Sequence, residues 1–445
     1  MLIPGHIQFC MERLESAGFE VYAVGGCVRD SYLRLIPQDY DLCTSALPEQ
    51  TEAVFSDQRL VLSGKKHGTV GVVIDGDVVE ITTFRAEGLY TDNRHPDRVE
   101  FVPHVETDLA RRDFTVNAMA YSPREGLIDP FGGQADLGRQ ILRAVGDPDK
   151  RFQEDSLRIL RGVRFAVKYG LTPESDTLNA MFRQAHLMNN LAKERIFDEL
   201  CKLLPLVNAE DLIRFAPIIT TVIPELAPCQ GFDQRNPHHA HDVYTHIAQV
   251  TQRVPPVLHL RWAALLHDVG KPMTFTLDET GCGHFYGHAR ESSRLAEEIL
   301  LRLKAPTKLR EQVVTLILQH MNRPEPDRKL LRRQVSRFGM DTLLDLISLQ
   351  EADYGGKGSE NPQKEALFSR LHPLLDRIRA EDACLTLKDL AVNGRDLMAL
   401  GIVGVEIGKT LDHLLEQVFL EILPNEKEAL LSAVKSSLNN NLGDN

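Results

Sequence analysis

The sequence predicts an α+β fold: a mixed-sheet head at the N-terminal side, followed by segments that are helical throughout. Three observations predict it. Short apolar runs bounded by glycine and polar turns crowd residues 20–145. From about residue 150 onward the apolar positions recur at helical spacing instead. The 445 residues are enough for about three domains with buried cores.

Residues 1–19 read as a short amphipathic helix. Residues 21–24 (Val-Tyr-Ala-Val) read as a strand that ends at Gly25-Gly26, followed by Cys27-Val28-Arg29-Asp30. Glycines there let backbone N–H groups approach a phosphate with no Cβ in the way. Asp39-Tyr40-Asp41 comes next. On a strand, carboxylates at i and i+2 share one face. Two such carboxylates suit a pair of Mg²⁺ ions about 3.5–4 Å apart, the arrangement used for phosphoryl or nucleotidyl transfer. An isolated Asp-x-Asp is more often a solvated turn; the Gly-Gly upstream favours the chemical reading.

Lys66-His67-Gly68-Thr69 leads into a strand at 70–74, and Asp75-Gly76 is a hairpin signal. A second strand at 78–84 carries Glu80 and ends at Arg85. The polar stretch 85–98, with Glu87, Asp92, Arg94 and His95, reads as a loop. Arg111-Arg112-Asp113-Phe114-Thr115-Val116-Asn117 and Ile128-Asp129-Pro130-Phe131-Gly132-Gly133 follow, and residues 154–166, from Glu154 to Ala166, read as a helix.

In this order the motifs resemble those of the class II tRNA nucleotidyltransferases, the bacterial CCA-adding enzymes, densely over residues 20–205 and loosely beyond. The resemblance implies a nucleotidyltransferase head, a helical neck, and helical body and tail domains that hold tRNA. It implies that Asp39 and Asp41 bind catalytic Mg²⁺ and that Gly26 and Arg29 hold the triphosphate. It places Arg112 and Asp113 against the phosphates and ribose of an incoming CTP or ATP. Asp155 and Arg158 become the base-reading pair, with Arg161 and Arg164 behind them, and Glu80 is a candidate third carboxylate.

The chemistry of that pair is consistent with its role. Three residues apart on a helix, Asp155 and Arg158 would be face neighbours, about 5–6 Å between Cβ atoms. A carboxylate only accepts hydrogen bonds and a guanidinium only donates. Cytosine and adenine each offer an amine beside an accepting ring nitrogen, whereas uracil and guanine present a carbonyl and a ring N–H. A good bidentate contact discriminates by about 1–3 kcal/mol, so with both contacts reversed for U and G the pair can choose C and A with no nucleic-acid template. The stripe Arg158, Arg161, Arg164 and Lys168 has no acids at i+4 and reads as a surface facing phosphate.

A second constellation is metal-like. His246, His267-Asp268, His288, His320 and Asp353 occur in order, and residues 262–268 form an apolar run ending in the His-Asp pair before Gly270. The set resembles the HD phosphohydrolase superfamily, in the longer pattern with two extra histidines. Imidazoles with carboxylates suit Ni, Mn, Co, Fe or Zn better than Mg. His238 and His239 fall outside the pattern, and His241 fits it less well than His246.

Composition bounds the rest. The formal net charge of −12 argues weakly against a nucleic-acid partner, but binding follows the local field. Arg328, Lys329, Arg332, Arg333 and Arg337 cluster and, with the 158–168 stripe, would make a phosphate track. No apolar run of about 18 residues predicts a membrane span, and no signal peptide is read. Seven scattered cysteines without Cys-x-x-Cys fit reduced thiols and a cytoplasmic location. The expected domains are head 1–148, neck 149–205, start of the body 206–236, HD-type domain 237–360 and tail 361–445, with a linker signal at 355–362. The expected activity is CCA addition to tRNA from CTP and ATP, with metal-dependent phosphohydrolysis in the HD domain. Enzymes adding only CC, only A or poly(A), or an HD phosphohydrolase with a nucleotide-binding head, are the alternatives. The sequence leaves the oligomeric state open.

Overall fold

Apolar strands meeting in one sheet and helices packed beyond it are what the computed structural model describes over residues 1–87, 99–236, 240–322, 324–358, 362–380 and 387–442. Most of the expected polar loop, 88–98, lies outside the described residues, as do His238 and His239. The chain divides into two units, Met1–Val207 with Arg214–Pro224, and Asn208–Ile213 with Glu225–Asn445.

The first unit opens with helix α1 (Gly5–Ser16), which buries Ile7, Cys10, Met11 and Leu14 on one face. Strand β1 (Val21–Val24) ends where expected, at Gly25, and α2 (Gly26–Tyr32) starts at once. Next come β2 (Asp41–Thr44), α3 (Pro48–Val54), β3 (Arg59–Val61), β4 (Thr69–Ile74) and β5 (Asp77–Thr83). Asp75 and Gly76 both have positive φ, 53° and 96°, the two-residue turn that matches strand twist. The pair β6 (Arg85–Glu87) and β7 (Val99–Phe101), then α4 (Val105–Ala110), β8 (Ala120–Ser122), β9 (Gly126–Ile128) and α5 (Gly133–Gly138) complete the head. The sheet order is β3-β4-β5-β2-β1-β8-β9, and it is mixed because β2 and β5 run parallel. Tyr22, Val24, Cys43, Phe84, Leu109 and Ala120 belong to one buried cluster.

Strand β10 (Ile141–Leu142) pairs with β11 (Thr172–Pro173), bracketing helices α6 (Pro148–Glu154) and α7 (Leu157–Tyr169). Phe114 of the head packs on Phe152 of α6 and Phe165 of α7, with ring centroids 6.4 and 5.9 Å away. Helices α8 (Ser175–Gln184) and α9 (Lys193–Leu203) follow, and α9 lies along α7. The expected single helix over 154–166 is in fact two. Asp155 is extended (φ −144°, ψ 103°) and separates α6 from α7. Of the two short helices that come next, α10 (Ala209–Arg214) belongs to the second unit up to Ile213, and α11 (Ala216–Val222) to the first.

The second unit is helical. It contains α12 (Val243–Arg253), α13 (Leu258–Leu266), a small hairpin of β12 (Thr276–Leu277) and β13 (Gly283–His284), then α14 (His288–Arg302), α15 (Thr307–Gln319), α16 (Arg328–Phe338) and α17 (Met340–Gly355). Every residue from Leu260 to Leu266 is buried, so α13 needs partners all round, and α12, α14, α15 and α17 supply them. Helices α18 (Pro362–Ala380), α19 (Gly394–Met398), α20 (Val405–Phe419) and α21 (Lys427–Leu442) complete it. Leu331 and Leu343 share one core with Phe368, Leu414 and Leu430. The basic segment of α16 is spent in this packing. Arg332 is buried, stacks over Phe419 and pairs with Glu421; Arg328 also pairs with Glu421, and Arg333 with Glu416. Burial takes Arg332 out of the expected phosphate track, whereas the side chains of Arg328 and Arg333 stay 44% and 66% exposed beside their acids.

Candidate functional site

One open cavity in the first unit is lined by Gly26, Arg29, Asp39, Asp41, Arg112, Asp113, Asp155, Arg158, Arg161 and Arg164. Those are the ten residues the sequence assigned to nucleotide chemistry. Gly25, read with Gly26 as the phosphate turn, lines it too, as do Arg111, Asn117, Phe165 and Arg195, which were missed.

Strand β2 begins at Asp41, so Asp39 precedes the strand and does not share its pleat as expected. The cavity still receives both carboxylates. Leu42 pairs with Ile81, which sets Glu80 beside Asp41 on the neighbouring strand. Burial and then Glu80 raise the Asp41 pKa against Arg112, and Asp39 adds to the rise. Like charges held together this way favour a cation between them. The donors are hard oxygens, which fit a divalent metal such as Mg²⁺.

Gly25 has φ +78°, and a Cβ there would lie 2.8 Å from Arg112 Nη1. Glycine therefore serves the turn and the approach of Arg112 at once. Arg29 is buried. Its guanidinium donates to Asp30 at 2.8 Å, to Asn117, and to Tyr169 Oη at 2.5 Å, and it stacks 4.2 Å from the Tyr169 ring. Asp113 accepts from Phe114 N at 2.9 Å, Asn117 Nδ2 at 3.0 Å and Arg161 Nε at 2.8 Å. Burial opposes its charge, yet Arg161 and these bonds outweigh burial and hold its pKa at about 2.

Asp155 and Arg158 both reach the cavity, but they are not paired with each other. Arg195 of α9 grips Asp155, with Nη2–Oδ2 at 2.8 Å and Nη1–Oδ1 at 3.3 Å. Arg158 donates to Glu154 Oε2 at 2.5 Å and to the carbonyls of Arg151 and Arg111 at 3.0 Å. Arg164 pairs with the buried Glu199 at 2.7 Å. Arg158, Arg161 and Arg164 of the α7 stripe line the cavity while each is also paired with an acid, Glu154, Asp113 and Glu199.

The second unit brings the other constellation together. Ligand atoms of His246, His267, Asp268 and Asp353 lie within 4.8 Å of one another, and so do those of Asp268, His288 and His320. The Nδ1 atoms of His246, His267, His288 and His320 each face a backbone carbonyl, of Gly356, Ala264, Phe285 and Ile317, at 2.6 to 3.1 Å. A carbonyl only accepts, so each Nδ1 carries the proton, and in the neutral ring Nε2 is a lone pair. Yet the Nε2 atoms of His246 and His267, and of His288 and His320, approach to 3.3 Å. Facing lone pairs repel unless a proton or a metal ion sits among them. Burial, with His267 next, pushes the His320 pKa down to about 4, which keeps that ring neutral and able to ligate. Gly270 ends the run because a Cβ there would meet Ser292 N of α14 at 2.7 Å.

Comparison with known proteins gives three matching family models. Residues 21–143 match "Poly A polymerase head domain", 170–227 match "Probable RNA and SrmB- binding site of polymerase A", and 287–434 match "tRNA nucleotidyltransferase domain 2 putative". The CCA-adding enzyme of Ligilactobacillus salivarius is 31% identical over 441 residues, covering 96% of this chain and 95% of that one. That of Levilactobacillus brevis is 35% identical over 429 residues, covering 95% and 96%. Among solved structures, the Bacillus stearothermophilus CCA-adding enzyme in complex with CTP has TM-score 0.73 and 28% identity, covering 98% of this chain and all, 100%, of that one. The Thermotoga maritima CCA-adding enzyme complexed with tRNA shares the fold at TM-score 0.58 and 21% identity, covering 98% and 96%.

Proposed function

The chain belongs to the CCA-adding enzymes, and from that membership and the head cavity we propose how it adds C, C and A to the 3′ end of tRNA from CTP and ATP. Relatives of known structure were captured with CTP, with ATP and with tRNA. The observation that carries the residue assignment is the single cavity joining Asp39 and Asp41 to Asp155 and Arg158. Members of the family use a divalent metal; here Asp39 and Asp41 would hold Mg²⁺, with Glu80 as third carboxylate. The ion supplies charge neutralisation at the reacting phosphate. Arg112 lies beside the triphosphate and Asp113 beside the ribose. Arg29, already committed to Asp30, Asn117 and Tyr169, shapes the glycine turn at Gly26 for the phosphates. Asp155 accepts from the base amine and Arg158 donates to the ring nitrogen.

The proposed domains are a head over 1–148, a neck over 149–205, a body from 206, an HD-type domain over 237–360 and a tail from 361. No helix among the described residues is long and apolar enough to cross a membrane, and we place the enzyme in the cytoplasm. The test uses tRNA truncated before CCA, Mg²⁺ and each labelled nucleoside triphosphate in turn. Incorporation of C, C and then A, with U and G excluded, is the expected result. Addition of only CC, only A or repeated A would replace this reading with a partial one.

The 3.3 Å approach of paired imidazole Nε2 atoms favours a second activity in the other unit. His246, His267, Asp268 and Asp353, with His288 and His320 sharing Asp268, would hold a transition metal such as Ni, Mn, Co, Fe or Zn. That metal supplies an activated water for phosphoester hydrolysis.

A further inference from the structure

We propose that the β12–β13 hairpin carries a further metal site, in which Asp278, Cys282 and His284 hold a borderline-soft divalent ion of the Zn²⁺ class. The site shares no ligand with the head carboxylates or with the imidazole cluster.

One ligand atom from each of these residues lies within 4.8 Å of the other two. Asp278 follows β12, Cys282 precedes β13, and His284 is on β13. The carboxylate is oriented before any ion arrives. Its Oδ1 accepts from Thr280 N at 2.9 Å, Thr280 Oγ1 at 2.7 Å and Cys282 N at 3.0 Å, while Oδ2 faces His284 Nε2 at 2.7 Å. Outer bonds of this kind orient a metal-ligating carboxylate. His284, then the loop donors, hold Asp278 well below the usual carboxylate range, so it is an anion at neutral pH. A carboxylate only accepts, so the hydrogen between the two side chains is on Nε2. A metal ion takes the place of that hydrogen, and the neutral ring then keeps its proton on Nδ1. The ring is stacked on Tyr286, with centroids 5.3 Å and planes 13° apart.

The Cys282 thiol gives its proton to solvent and ligates as the thiolate. Its Sγ lies 4.0 Å from the Gly283 carbonyl, a weak contact, so the side chain is able to turn toward the other two. Bond lengths of about 2.0–2.3 Å put tetrahedral ligands roughly 3–4 Å apart, so the closure needed is about 1 Å. The frame beneath is firm. Gly283 N donates to Arg235 O at 2.8 Å, Asn236 Nδ2 donates to Gly283 O at 3.1 Å, and a Cβ at Gly283 would lie 2.1 Å from Gln234 O. Phe275 and Phe285, which flank the hairpin, pack with ring centroids 5.5 Å apart. The donor set decides which ion enters. Thiolate and imidazole suit Zn²⁺ and Co²⁺ and serve Mg²⁺ or Ca²⁺ poorly. Three protein ligands and a water complete a tetrahedron. A short exposed hairpin opens locally, so an ion on it protects the hairpin and leaves melting of the unit to other contacts.

The experiment titrates the full-length protein with Co²⁺, a spectroscopic stand-in for Zn²⁺, and follows the thiolate-to-metal charge-transfer band in the near ultraviolet. The head carboxylates and the imidazole cluster have no sulfur ligand, so neither gives that band. A band saturating at one ion per chain is expected, displaced by Zn²⁺ and untouched by Mg²⁺. It should persist in His267→Ala with Asp268→Ala, the variant that disables the imidazole cluster. Cys282→Ser keeps the backbone bonds of the loop and should abolish the band. His284→Ala and Asp278→Asn should each weaken Co²⁺ binding at least about tenfold. If Asp278→Asn loosens the hairpin, His284→Ala carries the comparison, since the loop bonds to Asp278 Oδ1 stay in place. Absence of the band in wild type, or a band unchanged in Cys282→Ser, overturns the proposal. A band lost in Cys282→Ser but of unchanged affinity in His284→Ala overturns it too, because the thiol alone then binds an adventitious ion only.

Discussion

Arg161 of α7 closes on Asp113 of the head with Nε 2.8 Å and Nη2 2.7 Å from the same oxygen, Oδ2. The bond ties α7 to the segment after α4 at the wall of the cavity, which both side chains line. The Asp113 pKa is about 2, below its ordinary value of 3.8. A depressed carboxylate contributes stability that is present above its unfolded pKa and lost as pH falls through the folded one. Asp113→Asn should therefore destabilise the first unit on the order of 2 kcal/mol at pH 7. Melting of wild type and variant should differ by several degrees at pH 7, and the gap should close between pH 4 and pH 2. An equal gap at pH 7 and pH 2 would show that the ion pair is not its source.

Asp39→Ala or Asp41→Ala should abolish nucleotide addition and leave tRNA binding nearly intact, since the loss is of charge stabilisation at the reacting phosphate. Retention of more than about a tenth of the wild-type rate, a loss under ~1.4 kcal/mol, sinks the assignment. Glu80→Gln removes the second-largest cause of the raised Asp41 pKa. Unlike the aspartate variants it should keep measurable addition, with a raised Mg²⁺ concentration at half-maximal rate; an unchanged value would remove Glu80 from the metal site.

Gly25→Ala sets a Cβ 2.8 Å from Arg112 Nη1 at a φ of +78°. The Arg112 side chain must withdraw, and an alanine at φ +78°, ψ −120° is strained by about 1–3 kcal/mol, because that conformation lies outside the left-handed helical well. KM for CTP and ATP should rise by about tenfold or more, while the second unit melts unchanged. Wild-type KM in this variant would detach Arg112 from the triphosphate.

Much of this was legible in the sequence, where local chemistry decides the outcome. The strand at Val21–Val24 and the turn at Asp75-Gly76 were readable because apolar runs end at residues that take positive φ. The second-unit cluster was readable because its residues lie on helices or directly after their last turns, in a recognisable order. Asp155 was misread because acids before an apolar run look like an ordinary helix start, and no glycine or proline announces the break. Its true partner, Arg195, lies 40 residues on, and Glu199, the partner of Arg164, lies 35 on. The pairing of Arg332 with Glu421 spans 89 residues. Periodicity carries no signal about partners that far away. The acids that pair with Arg164 and Arg332 therefore could not be read from the charge runs themselves.

The two sites should prove separable. All six residues proposed to hold the second-unit metal lie in Glu225–Asn445, whereas Asp39, Asp41, Asp155 and Arg158 lie in Met1–Val207. Nucleotidyl transfer uses hard oxygen ligands and needs none of those imidazoles. His267→Ala with Asp268→Ala should remove hydrolysis of an aryl phosphate or a 2′,3′-cyclic nucleotide assayed with Ni²⁺, Mn²⁺ or Co²⁺. CCA addition should persist within a few-fold. The same variant should lose metal-dependent stabilisation, because an ion that binds only the folded state raises stability by about 2.7 kcal/mol at a hundred times its Kd. A wild-type melting temperature unmoved by any of these ions would refute the metal centre outright, whether or not a substrate had been found. A double variant that folds normally yet loses CCA addition would show that the sites are coupled and that the imidazole cluster serves the polymerising reaction.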